Sequence, residues 1–420
     1  MYIKKIEIQN FKGIEDAKFE FDSNFTALIG DNGTGKTSIL DAINIAIGTI
    51  LLKTNSKFSF GGANSRPLSN NEIRKVSTSK DNIELTSVCL KGIFDDGFRS
   101  YKWERTQPVH SKNLAYKKAV EITDYGLSMI ENLDKDIDLP LFVHHTTARL
   151  WSNIYEKNTK YQSIGSRLDG YYACLDSRNI KDKFFNWFKT YEDEVLKFDK
   201  DKALYEAFTE AITSMVRDWD KIHYSWHWDD LMGQISGNKW LPLSNLSDGY
   251  RGIVHLTADI AYRAIKLNPH LGKNAVKNTK GIVLIDELDM HLHPKWQRIV
   301  VEDLKNTFPN IQFIVTTHSP FIVQSLKANE LINLDNRKFA EDPDKLTIEE
   351  NALHMGVEDD NSAKFDRKEK FATEYLHLLN DAKNLDDEAL SKARQLLLEF
   401  SDDPAFIAKL KMEELIKFNK

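Results

Sequence analysis

Over residues 1–30, apolar side chains recur at nearly every second position, as in half-buried strands. Ile3, Ile6 and Ile8 lead to a turn at Asn10-Phe11-Lys12-Gly13, Ala17, Phe19 and Phe21 follow it, and a third run spans Phe25 to Ile29. The period then shifts. Beyond GDNGTGKTS (residues 30–38), Ile39, Leu40, Ala42, Ile43, Ile45, Ala46 and Ile47 recur as in a helix. Residues 53–81 lose the pattern, are rich in Ser, Asn, Lys and Gly, and read as a surface loop. Alternation returns from Asn82 to about Val109, with a hairpin turn at Asp95-Asp96-Gly97. LPLFVHHT (residues 140–147) reads as a buried strand.

From about 148 to 240 the chain reads as helical and is aromatic, with Phe184, Phe185, Trp187, Phe188, Tyr191, Trp219, Tyr224, Trp226 and Trp228. No heptad is sustained, so an inserted helical subdomain is expected rather than a coiled-coil arm. Aromatic side chains can stack on nucleic-acid bases, but at this density they more often build a core. LSDGYRGIVHLTADIAYRAI (246–265) opens a long helix, and a connector follows in which Lys266, Lys273, Lys277 and Lys280 stand without an acid. Next come an apolar strand at Ile282–Ile285, a helix from about Pro294, a strand at Phe313–Thr316 and a helix after Pro320. Buried strands alternating with helices predict a largely parallel sheet. Past residue 350 lies a charged helical tail, with amphipathic stretches around Phe371–Leu379, Leu390–Phe400 and Phe406–Ile416. The expected organisation is an N-terminal lobe (1–147), a helical insert (148–240), a C-terminal lobe (241–350) and a tail (351–420) suited to a partner.

Composition narrows this picture. With 420 residues, 41% hydrophobic and 29% charged, the chain reads as an ordinary soluble protein. Its formal net charge of -6 gives no general electrostatic case for nucleic acid, although a local basic face stays open. Two cysteines, Cys89 and Cys174, make no disulfide or metal framework, which suits a reducing interior. No run has membrane-spanning length and MYIKKIEI does not read as a signal peptide, so a cytoplasmic protein without membrane contact is expected.

The chemistry gathers in four stretches. GDNGTGKTS fits G-x-x-x-x-G-K-[ST], with Gly30, Gly35, Lys36 and Thr37 in the fixed places, between a strand-like and a helix-like run. Glycines let successive N–H groups and a helix N-terminus face one anion; Lys36 reaches β/γ-phosphates and the Thr37 hydroxyl offers a Mg²⁺ position. GIVLIDELDMHLHP (281–294) is an apolar strand ending in two acids, Asp286 for the Mg²⁺ shell and Glu287 to orient or deprotonate water. Carboxylates at a buried strand end are costly unless a metal-phosphate site compensates them. IQFIVTTHSP (311–320) ends in His318, whose imidazole could donate to a γ-phosphate or hold the water. LSDGY (246–250) sets Ser247 and Gly249 before a helix, another N-terminus suited to an anion. His291/His293 and His223/His227 are conceivable metal pairs, short of the three or four ligands a site needs.

Together and in this order, these stretches resemble the ABC-type ATPases of the RecF/SMC-like branch, over roughly residues 1–50 and 240–330. The likeness implies an α/β ABC-ATPase head, a mixed sheet with helices on both faces, carrying a helical insert and a helical C-terminal tail. It implies ATP and Mg²⁺ as cofactors. Gly30, Asn32, Gly33, Gly35, Lys36, Thr37 and Ser38 would form Walker A, Asp286 and Glu287 Walker B, Asp289 the D-loop and His318 the switch histidine. Lys12 would lie near the nucleotide. Ser247 and Gly249 would form the signature, acting in trans across a head-to-tail homodimer; assemblies above the dimer are left open. The signature reads LSDGY rather than LSGGQ, and no Q-loop glutamine stands out near residues 144–149 (HHTTAR).

The phrasing DELDMHLHP and TTHSP resembles compact ATPases of bacterial anti-phage systems, the OLD-like proteins and the PtuA ATPase of Septu or retron loci. The expected function is an ATPase acting as a nucleotide-gated sensor or regulator, signalling to a separate effector such as a nuclease. The alternatives are a DNA-clamping repair ATPase and an OLD-like nuclease. Asp359-Asp360 and Asp402-Asp403 read as solvated charges rather than as nuclease ligands.

Overall fold

A computed structural model describes residues 1–54, 72–79, 82–108, 115–133, 136–147, 166–176, 181–198, 201–235, 239–335 and 341–356, with Tyr375 and Ile407 beyond them. In chain order the elements begin β1 (Tyr2–Phe11), β2 (Ile14–Glu20), β3 (Phe25–Ile29), α1 (Lys36–Ile50), β4 (Lys75–Ser79), β5 (Asn82–Leu85), β6 (Val88–Asp95), β7 (Ser100–Gln107), β8 (Ala115–Lys118), α2 (Val120–Glu131) and β9 (Leu141–His145). The middle of the chain gives α3 (Lys181–Phe198), α4 (Ala203–Met215), β10 (Trp219–Ser225), β11 (Asp230–Ile235), β12 (Lys239–Pro242) and α5 (Asp248–Leu267). There follow α6 (Ala275–Asn278), β13 (Gly281–Ile285), α7 (Pro294–Gln297), α8 (Val300–Thr307), β14 (Ile311–Thr316), α9 (Pro320–Val323), β15 (Leu331–Asn333) and α10 (Ile348–His354).

Strands of the two kinds segregate. The order β15-β3-β14-β13-β9 forms one sheet, parallel at every pairing. Its strands β3, β9, β13 and β14 are buried at every position, which is why they read as unbroken apolar runs. The order β2-β1-β6-β7-β8 forms an antiparallel sheet with alternating burial on β7. Helix α1 contacts β14 of the first sheet and β1 and β6 of the second. Squeezed between them, it buries residues all round, Ile39 through Ile50 with only Asp41 excepted. Gln312 on β14 staples the sheets: its amide donates to Ile3 O (2.9 Å) and Asp22 O (2.7 Å) and its oxygen accepts from Ile3 N (2.8 Å). A buried amide is costly unless its groups are paired in this way.

The insert departs from the all-helical reading. Strands β10, β11 and β12 form an antiparallel sheet alongside α3 and α4. Trp219 packs its ring over Gly233, where an added Cβ would lie 2.1 Å from it. Phe184, Phe188, Phe208 and Trp219 join the common core, whereas Trp226 and Trp228 stay exposed. The 266–280 connector is also folded, and three of its four lysines are paired: Lys266 with Asp169, Lys273 with Glu206 and Lys277 with Glu210. In the stretch read as a surface loop, Glu72 and Ile73 are buried and β4 pairs with β5.

Met1–Gly356 is one compact unit and Val357–Lys420 another. In the second, Tyr375 is helical and buried and Ile407 is helical; Asp359, Asp360, Asp402, Asp403 and the other tail positions named above lie outside the described residues. Among the described residues, no helix is long and apolar enough to cross a membrane.

Candidate active site

A parallel sheet delivers every strand's C-terminal end to one edge, where ligands of such folds bind. Here that edge gathers Gly30 after β3, Asp286 after β13, Thr317 after β14, His145 at the end of β9 and Leu334-Asp335 after β15. At β3 the chain turns through Gly33 and Gly35, both in the left-handed region (φ 89° and 99°), and enters α1 at Lys36. No side chain caps that helix start. Its leading N–H groups therefore suit an anion. Asp31, Asn32, Gly33 and Thr37 are exposed, and Ser38 is half-buried. Lys36 is buried, its ammonium donating to Gly30 O (2.6 Å) and Asp31 O (3.0 Å). Burial lowers its pKa, while the carboxylates of Asp335, Asp286, Asp31 and Glu287 oppose the shift.

The Walker A and Walker B candidates meet directly. The Thr37 hydroxyl lies 3.2 and 3.1 Å from the two carboxylate oxygens of Asp286. Asp286 is buried, and its N–H donates to His145 O (2.8 Å). Thr316 completes the frame. Its hydroxyl donates to Asp286 Oδ1 (2.6 Å) and accepts from Glu287 N (2.7 Å), and its carbonyl accepts from Leu288 N (2.9 Å). These bonds hold Glu287 at φ 50°, a conformation that costs a non-glycine residue about 1–2 kcal/mol. Asp289 accepts from Thr317 Oγ1 (2.5 Å) and His318 N (3.2 Å), so it ties the loop after β13 to the loop after β14. His318 is exposed at this edge.

The Lys12 ammonium pairs with Asp41 on α1 and, at 3.7 Å, with Glu72, while Ile14 of the same hairpin lies 3.7 Å from where a Cβ on Gly35 of the phosphate loop would be. Ser247 is exposed at the start of α5, and no described hydrogen bond or ion pair joins it to the phosphate loop of its own chain. Gly249 lies against the loop after Walker B, where an added Cβ would come within 2.5 Å of His291 O. Its neighbour Tyr250 donates to Asp218 Oδ2 of the insert (2.6 Å) and meets Trp296 edge-on, ring centroids 4.5 Å apart. Burial and that bond push the Tyr250 pKa up to about 12.

Three of the four paired histidines have local partners. His293 Nδ1 accepts from Lys295 N (3.2 Å), His223 meets Trp240 edge-on and His227 meets Trp228 edge-on. Among the described residues, no three His, Cys, Asp or Glu side chains stand together to hold a metal ion. One hydroxyl and one carboxylate, Thr37 and Asp286, fit Mg²⁺, which is commonly bound by one or two protein oxygens plus substrate phosphates.

Sequence reasoning missed Thr316 and Asp335. The first stood at the end of a quoted strand; the second ends Leu-Ile-Asn-Leu-Asp, an apolar run closed by an acid, as in Walker B. Asp335 Oδ2 accepts from Asp31 N (2.9 Å) on the phosphate loop.

The AAA ATPase domain family matches residues 1–323, and the chain belongs to that family. It is similar to the retron Vc95 probable ATPase of Vibrio cholerae serotype O1 biovar El Tor, 25% identical over 78% of this chain and 72% of that one. The retron Ec83 probable ATPase of Escherichia coli is 25% identical over 98% of this chain and 86% of its own length. The Septu protein PtuA of Bacillus mycoides is 29% identical over 80% of this chain and 41% of that protein.

Proposed function

We propose that this chain hydrolyses ATP with Mg²⁺ and serves as a nucleotide-gated regulator in an anti-phage defence complex. The observation that carries the ATPase part is the meeting of Thr37 and Asp286 beside the buried Lys36. When bound, Mg²⁺ supplies charge neutralisation of the β- and γ-phosphates. Thr37 and Asp286 would hold it, with Asp286 oriented by Thr316 and His145 O. Lys36 and the uncapped start of α1 bind phosphate oxygens. Glu287 orients the attacking water and accepts its proton, and His318 faces the same edge.

Ser247 and Gly249 complete a site only from a second copy, in a head-to-tail homodimer that closes on ATP. Ser247's exposure at the start of α5 supports this. The similarity to retron ATPases and a Septu protein supports the defence role, with a separate effector, a nuclease in this reading, receiving the signal. The Val357–Lys420 unit is the proposed partner-binding part, and a cytoplasmic setting is proposed with it.

Glu287→Gln is the test. Steady-state phosphate release should fall by about 10²–10⁴-fold, the range of a lost general base, while ATP binding persists and size-exclusion chromatography shows a trapped dimer. Full turnover by this variant would remove Glu287 from the mechanism; a monomer throughout would remove the dimer.

A further inference from the structure

Mg²⁺ accounts for Asp286 and water activation for Glu287, but neither accounts for Asp335. This residue reaches the loop from the far end of the chain. β15 pairs in parallel with β3, and Leu334 N donates to Ile29 O (2.9 Å), so the ladder continues to the point where β3 becomes the phosphate loop. Asn333 Oδ1 accepts from Asp335 N (3.0 Å) and fixes the turn. The carboxylate then accepts the Asp31 amide and lies 3.2 Å from where a Cβ on Gly30 would be. Glycine at position 30 is what admits it so close. Among the carboxylates acting on Lys36, that of Asp335 acts most strongly.

We propose that Asp335 is an affinity-setting residue of the nucleotide site: its carboxylate fixes the loop through the Asp31 amide and sets a standing negative charge against the incoming polyphosphate. This rests on reading Gly30–Ser38 as a triphosphate loop. Hydrogen bonding and charge act here in opposite directions. The bond pre-shapes the loop, whereas the charge repels a polyanion in proportion to its phosphates. A loop so arranged binds ATP more weakly than its Lys36 and helix start allow, and it releases nucleotide readily.

Asp335→Asn separates the two effects, since the amide keeps an acceptor for Asp31 N and loses the charge. Titration calorimetry of the full chain with Mg-ATP, Mg-ADP and adenosine, beside Asp335→Ala and Lys36→Ala, is the experiment. Thermal melts establish that each variant is folded. Asp335→Asn should tighten ATP on the order of tenfold, as one unit charge at a half-exposed site acts through partial screening. ADP should gain less, adenosine should be unchanged, and Asp335→Ala should bind more weakly than Asp335→Asn. Unchanged or weakened ATP binding by Asp335→Asn overturns the proposal and leaves a structural acceptor. If the unaltered chain shows no ATP binding that Lys36→Ala removes, the triphosphate reading itself fails and the proposal falls with it.

Discussion

The two halves of the candidate site are built on different principles. Around the phosphate loop, polar side chains bind distant partners: Thr37 and Thr316 the Asp286 carboxylate, Thr316 also the Glu287 N–H, and Asp335 the Asp31 N–H. Around the signature, Ser247 stands exposed and the loop is held by packing, with Gly249 on the His291 carbonyl and Tyr250 between Asp218 and Trp296. One half is organised for a small ligand by its own chain. The other is presented outward and braced from behind, which is what a surface needs if its ligand is shared with a second molecule. Chemistry on the first half should therefore be separable from assembly on the second.

The strongest break is Lys36→Ala. Removing the buried ammonium should cost the isolated chain at least about two orders of magnitude in ATP affinity, since a charged hydrogen-bond donor to phosphate contributes on the order of 3 kcal/mol. Equilibrium binding of a fluorescent ATP analogue reads this directly, and near-normal affinity would dissolve the distinction between the halves. Gly249→Ala acts on the other side. Its Cβ would sit 2.5 Å from His291 O, an overpacking worth about 1–3 kcal/mol. The expected outcome is a lower melting temperature and reduced turnover with ATP binding by the single chain unchanged; weakened binding would mean that the halves are coupled within one chain. Tyr250→Phe is the mildest, removing one hydroxyl from Asp218 at a cost of about 0.5–1.5 kcal/mol. Turnover should drop slightly, readable as a change in kcat without a change in KM.

Local sequence carried the phosphate loop and Walker B, because spacing and an apolar run are sufficient to specify a strand, a turn and a helix start. Partners recruited from afar left no such trace. Nothing near Lys12 announces Asp41 and Glu72, and nothing near Lys273 or Lys277 announces Glu206 and Glu210 on α4. The misread strand β10 has a physical cause. Its buried residues are Trp219 and Ile222, three apart, because a register shift falls between Trp219 and Lys221. A bulge thus gave a strand the spacing of a helix. Asp335 was legible in type but not in place, since only the pairing of β15 with β3 brings it to the loop.

That same pairing sets when β3 gains its second neighbour. The antiparallel sheet is nearly complete once residue 107 has been made, but the parallel sheet closes only when residues 331–333 reach β3. A ribosome adding about 5–20 residues per second emits the phosphate loop and then takes roughly 15–60 s to reach Asp335. Through that interval β14 and then β15 arrive at β3, bringing Thr316 and Asp335 with them. The Asp335 contact with Asp31 is therefore added to the phosphate loop well after the loop itself has been made.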